Sequence, residues 1–169
     1  MSMAFPELNM SIADRARDAK SAAEEIRGYA RKVIVALASE FASEDAETFG
    51  VNLVHSEDGQ SARISSPFGE ARAKLLVFLD DGGLYGRYSF ERKFTDSLDR
   101  DIWIEVYFLD IREDGTIISE FSGEESNRFS VPQYRRNQYF TLALAITTAL
   151  GRNPADQFDA LSSSALGIR

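Results

Sequence analysis

The sequence predicts an α+β fold: a long amino-terminal helix, a six-stranded antiparallel meander and a buried carboxy-terminal helix, stacked as a two-layer sandwich. Three observations carry this. The acidic-glycine clusters Glu57-Asp58-Gly59, Asp80-Asp81-Gly82-Gly83 and Glu113-Asp114-Gly115 each separate two β-rich apolar runs. Before them lies a helical seam of Ile and Ala. After them comes a segment, Tyr139 to Leu150, that is apolar nearly all round. Gly supplies the positive φ of a tight hairpin, and Asp bonds its own backbone there, so each cluster reads as a hairpin tip.

The first helix starts at Ser11-Ile12-Ala13-Asp14, where Ser caps free amides and Asp suits the positive end of the dipole. The pattern Ile12, Ala16, Ala19, Ala23, Ile26, Ala30, Val33, Leu37 steps by four and three, a heptad seam. Carried to Phe41, the helix is roughly 45 Å long, against about 30–35 Å for a compact domain of this size. From Val33 onward the residues are large and apolar, as on a sheet; from Ile12 to Ala30 the seam is mostly Ala, with Gly28 as a candidate kink. The first half either lies on its own domain or pairs with another copy, and the seam predicts a homodimer.

Six strands follow. Phe49 to His55 alternates, Ser61 to Ser66 is short and polar, and Ala73 to Leu79 is almost continuously apolar and so expected to be central. Leu84 to Phe94 puts Tyr88, Phe90 and Phe94 on one face and Arg87, Glu91 and Lys93 on the other. Asp101 to Ile111 puts Ile102, Ile104, Val106 and Phe108 on one face, read as core, and Trp103, Glu105, Tyr107 and Leu109 on the other. Thr116 to Phe121 completes the set. Short links favour sequential antiparallel neighbours. A second helix is predicted from Ser130-Val131-Pro132-Gln133 to a stop at Gly151, with Leu142 and Ile146 in the core, and a short one from Asn153-Pro154 to Leu161. The whole of 1–169 reads as one domain, with 1–10 and 162–169 as flexible ends.

The chain has no cysteine, which excludes a disulfide framework and thiolate chemistry. No apolar run near the start suits a signal peptide or membrane span, so a cytoplasmic protein is expected. The net charge is −8. Residues 40–130 hold nine bases and twenty acids, or −11, so the excess falls on the predicted sheet region. That field repels phosphate backbones and anionic lipid and attracts a basic protein.

The candidate site is the sheet face not needed for the core. Arg87, Glu91, Trp103, Glu105 and Tyr107 mix aromatic anchors with charges, as protein-binding surfaces do. The reading that follows is a small acidic non-enzymatic protein that binds another protein, of the inhibitor, immunity-factor or effector-chaperone type. No cofactor, metal, nucleic acid or membrane is expected. One alternative is a ligand-binding or enzymatic domain with a cavity between sheet and helices. Another is a metal-dependent nuclease: Asp80 or Asp81 with Glu91 would hold the ion, and Lys93 would position water. His55, the single histidine, stands beside Ser56 at a strand end and reads as a turn-flanking residue rather than part of a triad.

Overall fold

The computed structural model describes residues 10–80, 82–119, 127–131 and 136–153. Helix α1 (Met10–Phe41) and a single turn α2 (Glu44–Glu47) precede seven strands: β1 (Asn52–His55), β2 (Ser61–Ser66), β3 (Gly69–Asp80), β4 (Gly83–Thr95), β5 (Asp101–Arg112), β6 (Thr116–Ser119) and β7 (Asn127–Ser130). Helix α3 (Arg136–Gly151) follows. The strands form one sheet in the order β1-β2-β3-β4-β5-β6-β7, every neighbouring pair antiparallel, and the sheet curls as a half-barrel around its helices.

The antiparallel meander is as the sequence predicts, and β7 extends it by one strand. Ser130, expected to cap the last helix, instead ends β7 opposite Thr116, and α3 begins six residues later at Arg136. The Val131 amide donates to the Gly115 carbonyl at 3.0 Å, which fastens the end of β7 to the turn before β6. The predicted flexible ends and the helix from Asn153 to Leu161 fall almost wholly outside the described residues.

All five turns from β1 to β6 are closed the same way. A side-chain oxygen accepts from the backbone amide two residues on: Asp58 from Gln60 at 3.0 Å, Ser66 from Phe68 at 3.2 Å, Asp80 from Gly82, Asp96 from Leu98 and Asp114 from Thr116, each at 2.8 Å. Together with further hydrogen bonds within the same turns, from the Ser56 hydroxyl to Asp58 and from Arg100 to Asp96, they hold the carboxyls of Asp58, Asp96 and Asp114 below the usual carboxylate range. For Asp58 the Ser56 hydroxyl is the first cause, and for Asp96 and Asp114 it is a backbone amide.

Helix α1 is continuous through Gly28, which is exposed. It does not outrun its domain, because the β3–β4 hairpin is almost as long. Thirty-two helical residues span about 48 Å, and the thirteen of β4 about 43 Å. Ala19 and Ala22 lie over the hairpin's far end beside Leu79 and Leu84, and Ile26, Ala30, Val33, Ile34, Leu37 and Phe41 are buried further along. The helix packs closely on β4 at Gly86, where a Cβ would stand 2.5 Å from Ile26 Cγ2. The β1–β2 tip meets the same helix. Gly59 has φ 69°, and a Cβ there would lie 2.9 Å from the Arg31 Cα. Beneath it, the buried Tyr88 hydroxyl donates to the Gly59 carbonyl.

The core fills the space between sheet and helices. Tyr88, Phe90, Tyr107, Leu109, Ile111 and Ile117 from the sheet meet α1 and, from α3, Tyr139, Leu142, Ala143, Ile146 and Leu150. Helix α3 buries one side only, with Asn137, Thr141, Leu144 and Thr148 exposed. Its end is capped from the sheet: Arg92 Nη1 donates to the Leu150 carbonyl at 2.7 Å and to that of Arg152 at 3.3 Å. No described helix is long and apolar enough to cross a membrane.

Candidate binding face of the sheet

Both helices cover one face of the sheet, and the opposite face of β2–β5 carries none of the core. Which side chains reach that outer face is decided by a bulge. Phe90 pairs with Tyr107 and Glu91 with Glu105, so Val106 is an extra residue on β5. Strict alternation therefore fails within the strand. Ile102 and Ile104 share a side with Tyr107, Leu109 and Ile111. Trp103 and Glu105 share the other with Phe108 and Asp110.

Four of the five predicted site residues, Arg87, Glu91, Trp103 and Glu105, are thus brought together on the outer face. The fifth is corrected: Tyr107 is 4% exposed and packs edge-on against Phe90 at 6.1 Å, inside the core. Burial raises its hydroxyl pKa, against a smaller lowering by a hydrogen bond with Ser119. Phe108, expected in the core, takes the outer position. Val106 is partly buried, packed against the core from the bulge.

Register turns the outer face into rows. One row reads Val54, Arg63, Arg72, Glu91, Glu105 across β1 to β5, and another reads Leu76, Arg87, Asp110, Ile118 across β3 to β6. Each central arginine is held by a carboxylate and laid on a ring. Arg72 Nε donates to Glu91 at 2.5 Å while its guanidinium lies 4.1 Å from the Trp103 ring centre. Arg87 makes a two-pronged pair with Asp110, at 2.7 and 2.9 Å, over Phe108 at 4.0 Å. That pairing raises the Arg87 pKa further above its ordinary value. Arg112 sits over Tyr85 at 4.9 Å and 3.6 Å from the Asp80 carboxylate. Lys93 pairs with Asp101 at 2.9 Å and Glu70 at 3.4 Å, and the Ser89 hydroxyl donates to Glu105.

These pairs place the acidic excess elsewhere. Along the outer face every cation but Arg63 has a carboxylate within 4.0 Å; acid without such a pair among the described residues stands in the turns and α2, at Glu44, Glu47, Glu57, Asp58, Asp99, Glu113 and Asp114. Counting charge along the chain cannot separate the two, because turn and strand residues interleave in sequence.

A groove lies at one end of the face and an exposed apolar hairpin at the other. An open groove of about 620 Å³ runs over β1–β3 between Val54, Arg63, Glu70, Arg72 and Trp103. At the other end, Leu76, Phe78 and Leu79 of the β3–β4 hairpin are 51%, 41% and 50% exposed. The apolar run Ala73 to Leu79 predicts a central strand, and β3 is third of the seven. Both faces of its hairpin end meet solvent, because the hairpin extends past the large core residues of α1 to its alanines.

The residues of the nuclease arrangement are not brought together. Asp80 pairs with Gly83 at the hairpin tip and Glu91 with Arg72, so eight strand positions, about 26 Å, separate them. Asp81 lies outside the described residues, and Glu91 is engaged by Arg72 and Lys74. Among the described residues no three His, Cys, Asp or Glu side chains group as metal ligands. His55 Nδ1 lies 2.8 Å from the Ser56 carbonyl, and Ser56 donates to Asp58 at 2.6 Å, so the Ser-His-Asp trio closes a turn.

Together these features define an α+β protein with one helix-covered face and one face of stacked arginines and aromatics that no described helix covers. No family model, curated protein or solved structure matches the chain.

Proposed function

We propose that this chain is a non-enzymatic protein-binding protein that works through the outer face of its sheet. One observation carries the reading: Trp103, Phe108 and Tyr85 lie on a face that no described helix covers, each beneath an arginine paired with a carboxylate. Aromatic and arginine side chains dominate binding energy at protein interfaces, and ordering them beforehand lowers the entropy cost of association. Matched charges on the face give register, while the acidic turns around it steer a partner of net positive charge. An inhibitor, an immunity factor or an effector chaperone would each act by such binding alone.

The test is affinity capture from the source cells, with captured proteins identified and quantified. A partner lost by Trp103→Ala and Phe108→Ala but retained by Lys32→Ala on the exposed side of α1 supports the reading. A partner retained by both outer-face variants overturns it.

Self-association is a second part of the proposal. Leu79 stands beside the alanines of α1, and Leu76 and Phe78 are exposed on the other face of the same hairpin, so one end of the molecule is apolar on both sides. Light scattering of the wild type and of Phe78→Glu tests it; a wild-type protein that stays monomeric at high concentration removes this part alone.

A further inference from the structure

Resting on the outer-face reading, we infer that the groove over β1–β3 is the anchor point of the partner, and that it takes a carboxylate side chain. The charge pattern points there. Arg72, Lys74, Arg87, Lys93 and Arg112 on this face each have a carboxylate within 4.0 Å. Among the described residues Arg63 is the outer-face cation with none. It also stands directly opposite Arg72 in the β2–β3 pairing. Like charges facing each other across strands, with Cβ atoms about 4.5–5.5 Å apart, oppose folding unless an anion is shared between them.

The groove offers the rest of a recognition site. Arg72 is turned by its Nε bond to Glu91 and its stacking on Trp103, so its remaining N–H groups have no acceptor among the described residues. Arg63 and Arg72 together present two guanidinium forks to one carboxylate. Val54, 60% exposed on the edge strand, and Trp103 supply apolar walls for the stem of a glutamate or aspartate. Glu70 on the same wall, already bonded to Lys93, repels a second negative charge and limits the site to a single anionic group. A multiply charged phosphate backbone would also meet the field of a chain with net charge −8. The anchor therefore fits an acidic residue within a protein segment that is basic elsewhere.

Trp103 is the single tryptophan of the chain, so its emission reports on this groove directly. The probes are a short blocked peptide with a central glutamate, its glutamine and lysine counterparts, and inorganic phosphate. The expected result is a saturable emission change with the glutamate peptide. The glutamine peptide should bind at least about tenfold more weakly, the loss expected for one charge-assisted hydrogen bond. Arg63→Gln should lose binding by the same factor, Arg63→Lys should restore part of it, and Arg112→Gln, at the far end of the face, should bind as the wild type does. Circular dichroism checks that each variant is folded. No saturable response to the glutamate peptide overturns the inference, as does equal binding of its glutamine counterpart or undiminished binding by Arg63→Gln. Competition by phosphate at the same concentration as the glutamate peptide overturns the assignment to a carboxylate. If partner capture needs Trp103 and Phe108 but tolerates Arg63→Gln, the outer face stands and the anchor falls.

Discussion

Glycines and aromatics that look alike in sequence have opposite expected effects here. A Cβ at Gly28 meets nothing within 4 Å on the solvent side of α1, so Gly28→Ala should stabilise by about 0.5–1 kcal/mol through helix propensity alone. Gly86→Ala drives a methyl group into Ile26 and should destabilise by about 1–3 kcal/mol. Midpoints of urea unfolding, with unchanged slopes, check both. The aromatics divide in the same way. Phe90→Ala empties a fully buried site and should cost about 3–5 kcal/mol. Phe108→Ala, half-buried beneath Arg87, should cost clearly less and act on binding instead. Sequence alternation predicts the reverse for Phe108, since nothing in Glu105-Val106-Tyr107-Phe108 marks an extra residue. The bulge is set by how β5 follows the curl of its neighbour, and that is a tertiary constraint.

At the level of elements, the strands were legible because their turns have chemistry of their own. Asp58, Asp80 and Asp114 precede glycines and bond the amide two residues on, so the hairpin tips appear where the acidic-glycine clusters stand. Strand β7 was not legible: four residues on a sheet edge carry too little pattern, and Ser130-Val131-Pro132 imitates a helix start. The turns also imply a pH dependence. Carboxyls of Asp58, Asp96 and Asp114 titrate lower in the fold than in the unfolded chain. Their contribution is complete above the unfolded value, about 3.9, and is lost as pH falls through the lower folded values. Tyr88 and Tyr107 are displaced upward, chiefly by burial, so their contribution is complete below about pH 10 and is lost above it. Stability against urea should be flat between these limits and decline on both sides. Replacing Asp58, Asp96 and Asp114 together by Asn should flatten the acid limb; an unchanged acid limb would show that other carboxyls govern it.

For the whole molecule, the sequence identifies one two-layer unit and an aromatic outer face, and four of five face residues are where alternation puts them. It could not locate the charge. An acidic turn and a balanced face average to the same −11 over residues 40–130, and only register separates them. This separation has a measurable outcome. If the turns steer and the face holds, neutralising Glu57, Asp58, Glu113 and Asp114 should slow partner association and reduce its salt dependence. It should leave dissociation nearly unchanged. Trp103→Ala should do the opposite, and surface plasmon resonance with the identified partner resolves the two rates.

The bulge at Val106 also sets how this gene tolerates the loss of a codon. The outer face is assembled from two stretches of β5 that are out of phase in a strict two-residue repeat, and Val106 is the step between them. Deleting it restores the repeat and leaves both stretches on the faces they already hold, because Glu105 and Tyr107 then follow one another as their partners Glu91 and Phe90 do. With Tyr107 to Ile111 held in place, Ile104 stays on the helix side and Glu105 and Trp103 stay outside; what is lost is the local kink of the bulge and the packing of Val106. Deletion of Val106 should therefore be far less damaging than deletion of Leu109, which lies in a regularly paired stretch and would turn Asp110 toward the helices and Ile111 to solvent. Soluble yield and thermal unfolding of the two variants make that comparison directly.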